Sequence, residues 1–291
     1  MRVLKKCFIF LILFLLLGGG SLFYYCRCIA PFHFQVEELT LTSPYVSPEA
    51  QGKKLLVLAD VHLGTHYSHE DLEKVVEAVN EEGADFVLFL GDLFDDLNAS
   101  AEAMELDEEA LQAYLDRTSA LLARIEAAEG KYAVFGNHDY GGGAETVYPQ
   151  VLEAGGFTLL INQQAVLSEL GLSITGIDDV LIGYGDPAAA AGLDPALFNI
   201  VLVHEPDVAD QLLEYDADLI LAGHTHGGQV RLAFLGDSFL PPYGKKYVRG
   251  LYEFENARQT RLYVNPGVGV TILPLRFLSP PEITVVCLES E

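Results

Sequence analysis

Basic residues are scarce in this chain. Lys and Arg number 17 against 42 Asp and Glu among 291 residues, which gives a formal net charge of -25. A protein that binds nucleic acid by neutralising its phosphates needs the opposite sign, so no nucleic-acid binding is expected. Cysteine is scarce as well, since there are four and three of them lie before residue 30. This number and placement exclude a disulfide framework.

Fingerprints of several enzyme classes are also missing. The chain has no G-x-S-x-G motif, no Walker phosphate loop and no glycine-rich dinucleotide motif, so these classes are not indicated. Cys287, the one cysteine in the body of the protein, has no histidine close to it in sequence. Half of the residues are hydrophobic and a fifth are charged, a composition that supports a folded core rather than a disordered chain.

The N-terminal part contains one long apolar run. Residues 7–25 form 19 positions without a charged side chain, and a helix of that length nearly spans a hydrocarbon core of about 30 Å. Three basic residues precede the run and only Arg27 follows it closely. The positive-inside bias therefore predicts a single-pass protein of the cell membrane, with its N-terminus inside and the rest of the chain on the outer face. The alternative is a secreted protein after signal cleavage, but the best cleavage site, Ala30 followed by Pro31, is poor.

Composition divides the chain into three parts. Residues 1–30 are expected to form a cytoplasmic stub and the transmembrane anchor. Residues 31–50, which contain Pro31, Pro44 and Pro48, are expected to form a linker with one strand. Residues 51–291 are expected to form the main domain.

A βαβ unit begins the main domain. Residues 54–59 and 86–90 are short, continuous apolar runs, which is typical of buried parallel strands. Between them, apolar residues recur at helical spacing over residues 72–79, and Ser68 with Asp71 predicts a capping box. Strand, helix and strand within about 35 residues predict an α/β fold.

Further elements are expected after residue 94. The acidic stretch 95–109 is interpreted as a solvated loop, with a substrate-covering flap as the alternative, and a helix is predicted to begin near Asp107. Strands are predicted at 132–135, 173–177, 200–203 and 219–222, followed by antiparallel segments at 229–235, 247–254, 261–264 and 283–288.

Side chains able to bind metal follow five of the predicted strands. They are Asp60 and His62, then Asp92 and Asp95, then Asn137 and His138, then His204, and finally His224 and His226. The carboxyl ends of parallel strands meet at one edge of a sheet, where α/β proteins place their sites. Burying so many polar groups without partners would cost several kcal/mol per group, and divalent cations would supply the partner.

The ligand types indicate which ions and which chemistry to expect. Imidazole, carboxylate and amide oxygen without thiolate favour Mn, Fe, Zn, Co or Mg. Asp60 and His62 are two residues apart, as are His224 and His226. On an extended segment such pairs point the same way, so each pair is expected to hold an ion. A carboxylate such as Asp92 can bridge two ions, and two ions roughly 4 Å apart activate a bridging water and clamp a phosphoryl group. The pattern predicts a hydrolytic centre.

The motifs between Asp60 and His226 resemble those of a known family. The order D-x-H, G-D-x-x-D, G-N-H-D, a later H and G-H-x-H is similar to that of the calcineurin-like metallophosphoesterase superfamily. The resemblance implies a four-layer α/β/β/α sandwich, with two mixed β-sheets flanked by helices, in which residues 51–291 are the catalytic domain. It also implies a metal-dependent phosphoric ester hydrolase that uses a metal-bridging hydroxide and two divalent metal ions, with Mn favoured.

The resemblance assigns a role to each of the site residues. It implies a first ion held by Asp60, His62 and His226, a second held by Asn137, His204 and His224, and Asp92 as the bridge between them. His138 would face the scissile phosphate, stabilise the transition state and protonate the leaving oxygen. Asp95 would orient His138 and pair with its charge. A histidine beside the ions that is tuned by a carboxylate also suits general-acid catalysis.

Two segments indicate a narrower branch. Residues 224–229 and the tail 263–283 resemble the small bacterial membrane-anchored phosphoesterases. Some relatives there are UDP-diacylglucosamine pyrophosphatases of lipid A synthesis, and others are cell-wall or surface phosphodiesterases. The branch implies a phosphodiester or pyrophosphate substrate, with lipid-linked and cell-wall-linked esters among those to expect. Lipid A pyrophosphate cleavage occurs on the cytoplasmic side, which disagrees with the predicted outward topology.

One departure from the family pattern bears on the ester class. Protein phosphatases of the superfamily have G-D-x-x-D-R-G, whose arginine grips a phosphomonoester, whereas Asp96 stands in that place here. A negative charge near the site would disfavour a dianionic monoester, so a diester or pyrophosphate is favoured. A phosphomonoesterase for small metabolites is the alternative. An inactive metal-binding membrane module is the least favoured, because every expected ligand and His138 are present.

Two further expectations concern residues outside the assigned set. Asp139 is expected to support its loop rather than to bind metal. Arg276 is expected to pair with acidic residues at the surface, with phosphate contact as the alternative.

Overall fold

The computed structural model describes residues 2–231 and 240–291. Within them the chain forms seven α-helices, which are α1 Arg2–Tyr24, α2 His69–Glu81, α3 Leu97–Ala103, α4 Glu108–Ala123, α5 Asn137–Tyr140, α6 Tyr148–Ala154 and α7 Ala209–Leu212. α1 continues as a π-helix, Tyr25–Ile29, and a 3-10 turn, Ala30–Phe32. In the described residues, Lys5–Phe32 is the one helical segment long and apolar enough to cross a membrane, with mean hydropathy 2.3 over its most apolar 18 residues.

Twelve strands in the described residues form two mixed sheets. The first sheet has the spatial order β1 Gln35–Ser43, β12 Glu282–Ser290, β2 Lys54–Leu58, β3 Phe86–Phe89, β4 Gly130–Ala133 and β5 Thr158–Leu159. The second has the order β10 Gly250–Glu253, β11 Arg261–Val264, β9 Leu219–Ala222, β8 Phe198–Leu202, β7 Leu172–Gly176 and β6 Gln163–Leu167. β2 to β5 run parallel, as do β7, β8, β9 and β11. Antiparallel strands complete each sheet.

The apolar side chains pack at three levels. Leu55 and Val57 of β2 belong to the core between the two sheets, while Leu56 and Leu58 belong to the core between the first sheet and α2, α4 and α6. This division follows from the alternation of side chains along a strand. A third core lies on the outer face of the second sheet, against α7. The predicted α/β fold with a four-layer arrangement of helices and two mixed sheets is confirmed.

The helix signals were local and are confirmed where they involve caps. Ser68 Oγ accepts a hydrogen bond from the Asp71 N–H, and the Asp71 carboxylate accepts one from the Ser68 N–H, so the capping box begins α2 at His69. Asp107 caps α4 in the same manner through the Ala110 N–H.

The prediction of a loop over residues 95–109 is wrong in its first half. Residues 97–103 form the short helix α3, and the exposed Asp96 carboxylate caps it by accepting a hydrogen bond of 2.8 Å from the Ala99 N–H. Only Leu97 and Ser100 are buried within it. A helix with so narrow a buried face has no apolar periodicity, which explains why the sequence pattern did not indicate it.

The strand predicted within residues 31–50 is β1. It pairs in parallel with β12 along its whole length, from Gln35 opposite Glu282 to Ser43 opposite Ser290. The segment therefore forms an edge strand of the first sheet and connects the apolar helix to it directly. The predicted strand over residues 229–235 extends into residues 232–239, which lie outside the described residues.

Candidate metal centre

The predicted ligands follow strands of both sheets, in loops or in the first turn of a short helix. Asp60 and Asp92 follow β2 and β3 of the first sheet, and Asn137 lies after β4. His204 follows β8 and His224 follows β9, both in the second sheet. From the sequence, all five strand ends were expected at one edge of a single sheet. The structure divides them between two sheets. Hydrogen bonds such as the one from His204 Nδ1 to the Leu90 carbonyl (2.7 Å) join the loops of one sheet to those of the other.

Five of the seven predicted metal ligands have a left-handed backbone. Positive φ angles occur at Asp60 (53°), His62 (51°), Asp92 (58°), His224 (71°) and His226 (50°). Such a conformation is uncommon for residues other than glycine and costs about 1–3 kcal/mol each when strained, so its clustering marks a functional site. The expectation that the two pairs sit on extended segments is therefore wrong. Sharp turns after the strands, rather than strand alternation, aim these side chains.

The donor atoms converge in three overlapping groups. The groups are Asp60, His62 and His226, then His62, Asp92 and His138, then Asp60, Asp92 and His204, with the ligand atoms of each group within 4.8 Å of one another. His62 Nε2 lies 2.9 Å from His226 Nε2, and the His226 nitrogen lies 3.8 Å from Asp60 Oδ1. Ligands at about 2.0–2.2 Å from one ion stand about 3–4 Å from each other, so these separations suit a shared ion.

Asp92 stands between the two halves of the cluster. Its Oδ2 lies 3.5 Å from His62 Nε2 and 3.2 Å from His204 Nε2. Its Oδ1 accepts a hydrogen bond of 2.8 Å from the His138 N–H, which holds the carboxylate in one orientation. One oxygen therefore faces both His62 and His204, which belong to different predicted ion sites. This is the arrangement that a bridging ligand requires.

Main-chain carbonyls select the tautomers of three histidines. His204 Nδ1 lies 2.7 Å from the Leu90 oxygen, His224 Nε2 lies 2.9 Å from the Pro242 oxygen, and His138 Nδ1 lies 2.7 Å from the Asp95 oxygen. A carbonyl can only accept, so in each ring the bonded nitrogen carries a hydrogen, and the other nitrogen is the one that can ligate a cation or carry a second proton. This leaves Nε2 of His204, Nδ1 of His224 and Nε2 of His138 able to meet a cation or a phosphate.

Asn137 and His224 complete the predicted set. The ring of His224 packs on that of His204 with centroids 4.8 Å apart, and its main-chain N–H donates to the Asp60 carboxylate at 3.1 Å. Asn137 Oδ1 and His204 Nε2 are buried without a hydrogen-bond partner among the described residues. Buried polar atoms are rarely left so, because each costs roughly 1–3 kcal/mol. A divalent cation would satisfy such atoms, so these residues fit a metal site.

The electrostatics of the protein groups are strongly uneven. Burial raises the pKa of Asp60 to about 6, whereas the pKa of Asp92 lies well below its usual range, because His204 and His62 outweigh the effect of burial. Burial and the neighbouring His204 lower the pKa of His224 to about 4. Burial would lower the pKa of His138, but Asp92 and Asp95 raise it overall. His224 is thus neutral and able to ligate a cation, while His138 is protonated more readily than a free imidazole.

Two glycines permit the close approach of backbone to the carboxylates. A Cβ at Gly136 would collide with Asp92 Oδ1 and N, and one at Gly267 would lie 2.5 Å from the Cβ of Asp60. Gly267 also has a φ of +69°, and its N–H donates to Asn265 Oδ1 at 2.7 Å. The tail motif around Gly267 therefore forms part of the wall of the site.

Asp95 contacts His138 through its main chain as well as through its side chain. Its main-chain oxygen, not its carboxylate, accepts the hydrogen bond from His138. The carboxylate oxygen Oδ1 lies 3.4 Å from His62 Nδ1 and 3.6 Å from His138 Nδ1, and it accepts a hydrogen bond of 2.9 Å from Thr271 Oγ1. The side chain therefore serves both rings.

Asp139 supports its loop, as expected. Its carboxylate accepts hydrogen bonds from the main-chain N–H groups of Asp92, Leu93 and Gly136. Burial and then the charge of Asp92 raise its pKa to about 8. The residue ties the loops after β3 and β4 together behind the cluster.

Arg276 borders the cluster, although the sequence pattern did not indicate it. The expectation of a surface residue is wrong, because Arg276 is fully buried and its guanidinium donates to the main-chain oxygens of Pro266, Gly267, Gly269 and Ser279. Its Nη2 also lies 3.3 Å from His226 Nδ1. Its one local signal was the glycine- and proline-rich surroundings, whose carbonyls are free of regular structure and need a donor.

Comparison with known proteins agrees with this geometry. Residues 53–228 match the calcineurin-like phosphoesterase family. The chain is 38% identical over 277 residues, 94% of its length and 91% of the relative's, to the uncharacterized metallophosphoesterase YkuE of Bacillus subtilis (strain 168). It is 31% identical over 276 residues, 92% of each chain, to the phosphodiesterase YaeI of Escherichia coli (strain K12). A Danio rerio protein, named transmembrane protein with metallophosphoesterase domain, is 31% identical over 268 residues, 83% of this chain and 54% of that protein. The matched segment contains every predicted ligand, and the chain therefore belongs to the calcineurin-like phosphoesterase family of metal-dependent phosphoesterases.

Proposed function

We propose that this protein is a membrane-anchored phosphodiesterase or pyrophosphatase that works with two divalent metal ions. The position of Asp92 Oδ2 supports this most directly. It lies 3.5 Å from His62 Nε2, a ligand proposed for one ion, and 3.2 Å from His204 Nε2, a ligand proposed for the other. One carboxylate shared by two ligand groups suits two ions rather than one.

The proposed ligands divide into two sets. Asp60, His62 and His226 hold the first ion, Asn137, His204 and His224 hold the second, and Asp92 serves both. When bound, the ions supply a nucleophile derived from water and positive charge for the phosphoryl oxygens. The chain supplies the left-handed turns that aim the side chains and the carbonyls that select the tautomers of His204 and His224. Mn is the ion we favour.

His138 is the proposed proton donor to the leaving oxygen. Its Nδ1 is held by the Asp95 carbonyl, so Nε2 is the nitrogen left to face a phosphate. About a quarter of its side chain is exposed, at 27%, which allows contact with a substrate. The neighbouring Asp92 and Asp95 raise its pKa against the effect of burial, and a raised pKa favours the role of a proton donor. Asp95 acts here as a positioning residue.

The proposed ester is a diester or a pyrophosphate. Asp96 follows the Asp95 carbonyl that binds His138, and it is acidic and exposed. A negative charge beside the site disfavours a dianionic monoester more than a monoanionic diester. The name of the E. coli relative, a phosphodiesterase, points in the same direction. The apolar helix over residues 5–32 is proposed to anchor the chain, with the catalytic domain on the outer face.

Removal of a ligand tests the proposal. The full chain in detergent, loaded with Mn, is assayed on a chromogenic phosphodiester, and metal analysis is expected to find about two ions per chain. Asp92→Asn and His224→Ala should each lower turnover by about 100-fold or more, since even indirect partners of metal ligands cost 10–100-fold. Asp194→Asn and His33→Ala are matched controls at exposed positions outside the cluster and should keep full activity. Unchanged turnover in the ligand variants would overturn the proposal.

The ester class has a separate test at Asp96. Asp96→Asn removes the charge but keeps a side-chain oxygen for the Ala99 N–H, so α3 keeps its cap. The ratio of monoester to diester turnover should rise several-fold. The rise is limited to that size because the variant removes a single surface charge, which solvent screens. Asp107→Asn, the same change at the cap of α4, is the control and should leave the ratio unchanged. A wild-type chain that cleaves a matched monoester faster than the diester would favour a phosphomonoesterase.

A further inference from the structure

The end of the apolar helix is docked on the main domain. The main-chain oxygen of Cys26 accepts a hydrogen bond of 3.0 Å from the Arg276 N–H, and Cys26 is buried. The ring of Phe32 stacks on that of Tyr67, with centroids 6.2 Å apart and planes 17° apart. The helix therefore continues into a defined contact rather than into a free tether.

This contact lies at the level where the hydrocarbon of a bilayer would end. About 20 helical residues span a core of about 30 Å. Lys6 is the last basic residue before the apolar run, so the count starts at Cys7. The twentieth residue from there is Cys26. With the anchor proposed above, the Arg276 N–H that bonds to Cys26 would lie at the boundary between acyl chains and head groups.

The segment around Arg276 exposes three large apolar side chains. Ile272 is 83% exposed, Leu273 54% and Leu278 67%. All three lie within four residues of Arg276, so at about 3.5 Å per residue they are no more than about 14 Å along the chain from the residue that bonds to Cys26. Exposed apolar side chains grouped in this way mark an interaction surface more often than isolated ones do.

The same segment borders the metal centre. Thr271 Oγ1 donates to Asp95 Oδ1 at 2.9 Å, and the Arg276 guanidinium lies 3.3 Å from His226 Nδ1. The side chain of Gln229 donates to the main-chain oxygens of Thr271 and Leu273. The segment that bonds to the helix and carries the exposed apolar side chains is therefore also in direct contact with residues of the metal centre.

We propose that Ile272, Leu273 and Leu278 form an apolar rim that inserts into the lipid surface beside the helix and holds the metal centre against the membrane. The proposal rests on the membrane anchoring proposed above and extends it to the substrate, which is then a phosphoric ester carried by a lipid in the plane of the membrane. A net charge of -25 does not attract the domain to anionic head groups, so apolar insertion, insensitive to salt, is the force available.

A single tryptophan can report the position of the rim. The chain contains no tryptophan, so Ile272→Trp places one fluorophore in the proposed rim. Val166→Trp is the matched control, because Val166 is also apolar and 53% exposed but belongs to β6 at the edge of the second sheet. Both full-length variants are reconstituted into phosphatidylcholine vesicles with brominated acyl chains. Ile272→Trp emission should fall by about two-fold relative to plain vesicles, because rim side chains reach about 5–10 Å into the interface. Val166→Trp emission should not change.

Equal emission loss in Ile272→Trp and Val166→Trp would overturn the rim. Leu278→Trp, on the other side of Arg276, gives a second reporter if Ile272→Trp does not fold. Flotation of Val166→Trp with the vesicles tests the anchor separately, and a chain that does not float overturns both the anchor and the rim. Quenching in a chain without diesterase activity would leave the rim in place and contradict the proposed function alone.

A second measurement tests whether the rim is needed to cleave a diester carried by a lipid. The double variant Ile272→Gln and Leu273→Gln, in proteoliposomes, should keep its turnover of a soluble chromogenic diester. Its turnover of a diester carried by a lipid in the same vesicles should fall about tenfold as the rim leaves the interface. Equal effects on both esters, or none on either, would show that the rim does not present lipid-borne substrate to the site.

Discussion

The two halves of the candidate metal centre are held in different ways. In the half around His204 and His224, each ring is fixed by a main-chain carbonyl, that of Leu90 or Pro242. In the half around His62 and His226, the outer ring nitrogens face charged side chains instead, the Asp95 carboxylate at 3.4 Å and the Arg276 guanidinium at 3.3 Å. A carbonyl belongs to the fold and is not changed by substitution of its residue, whereas a side chain is. The half around His62 and His226 is therefore the one that neighbouring side chains can tune.

Removal of one ligand from each half gives the largest expected effect. His62→Ala and His204→Ala should each leave about one tightly bound ion per chain and lower diester turnover by about 100-fold or more. Metal analysis and turnover of a chromogenic diester measure the two effects. If either variant still binds two ions with unchanged affinity, the assignment of that histidine to a separate half is contradicted.

Arg276 should stabilise the fold and should affect metal binding only in the half around His62 and His226. Arg276→Gln leaves several buried carbonyls without a donor, so the free energy of unfolding should fall by about 3 kcal/mol and the melting temperature by about 10 °C. The control Arg117→Gln breaks an exposed ion pair with Glu70 and should cost less than about 1 kcal/mol. Thermal unfolding in detergent measures the difference.

Metal titration of Arg276→Gln separates a positioning role from a purely structural one. The affinity for one ion should fall about tenfold while the other stays unchanged, because Arg276 fixes the Gly267 segment that packs against Asp60 and does not contact His204. Equal weakening of both ions would show that the variant disturbs the whole centre.

Asp95 should show a smaller effect of the same kind. Asp95→Ala removes the carboxylate that faces His62 and His138 but leaves the main-chain oxygen that binds His138. Turnover should fall by about 10–100-fold, with a loss of affinity for the first ion. Thr271→Val removes only the hydroxyl that donates to the Asp95 carboxylate and should cost no more than a few-fold. A Thr271→Val effect as large as that of Asp95→Ala would place the main contribution in the segment around Thr271 instead.

The contrast between the two halves also shows how far sequence patterns reach. The motif residues Asp60, Asp92 and His204 could be predicted because each follows a buried apolar strand, a signal that lies within ten residues of it. Arg276 lies 50 residues from His226 and carries no periodic signal, and burial of an arginine is contrary to its usual preference. The capping box at Ser68 was equally local, whereas α3 has too few buried positions to be recognised.

From the sequence alone came the fold class, the apolar helix and the candidate ligands, because apolar runs, caps and motif spacing are properties of neighbouring residues. Only the tertiary structure decided that the ligands divide between two sheets, that left-handed turns aim them, that the Asp95 carbonyl holds His138, and that the apolar helix ends against Arg276. Each of these is a contact between residues far apart in the chain. Such contacts depend on how the layers pack, which local patterns do not encode.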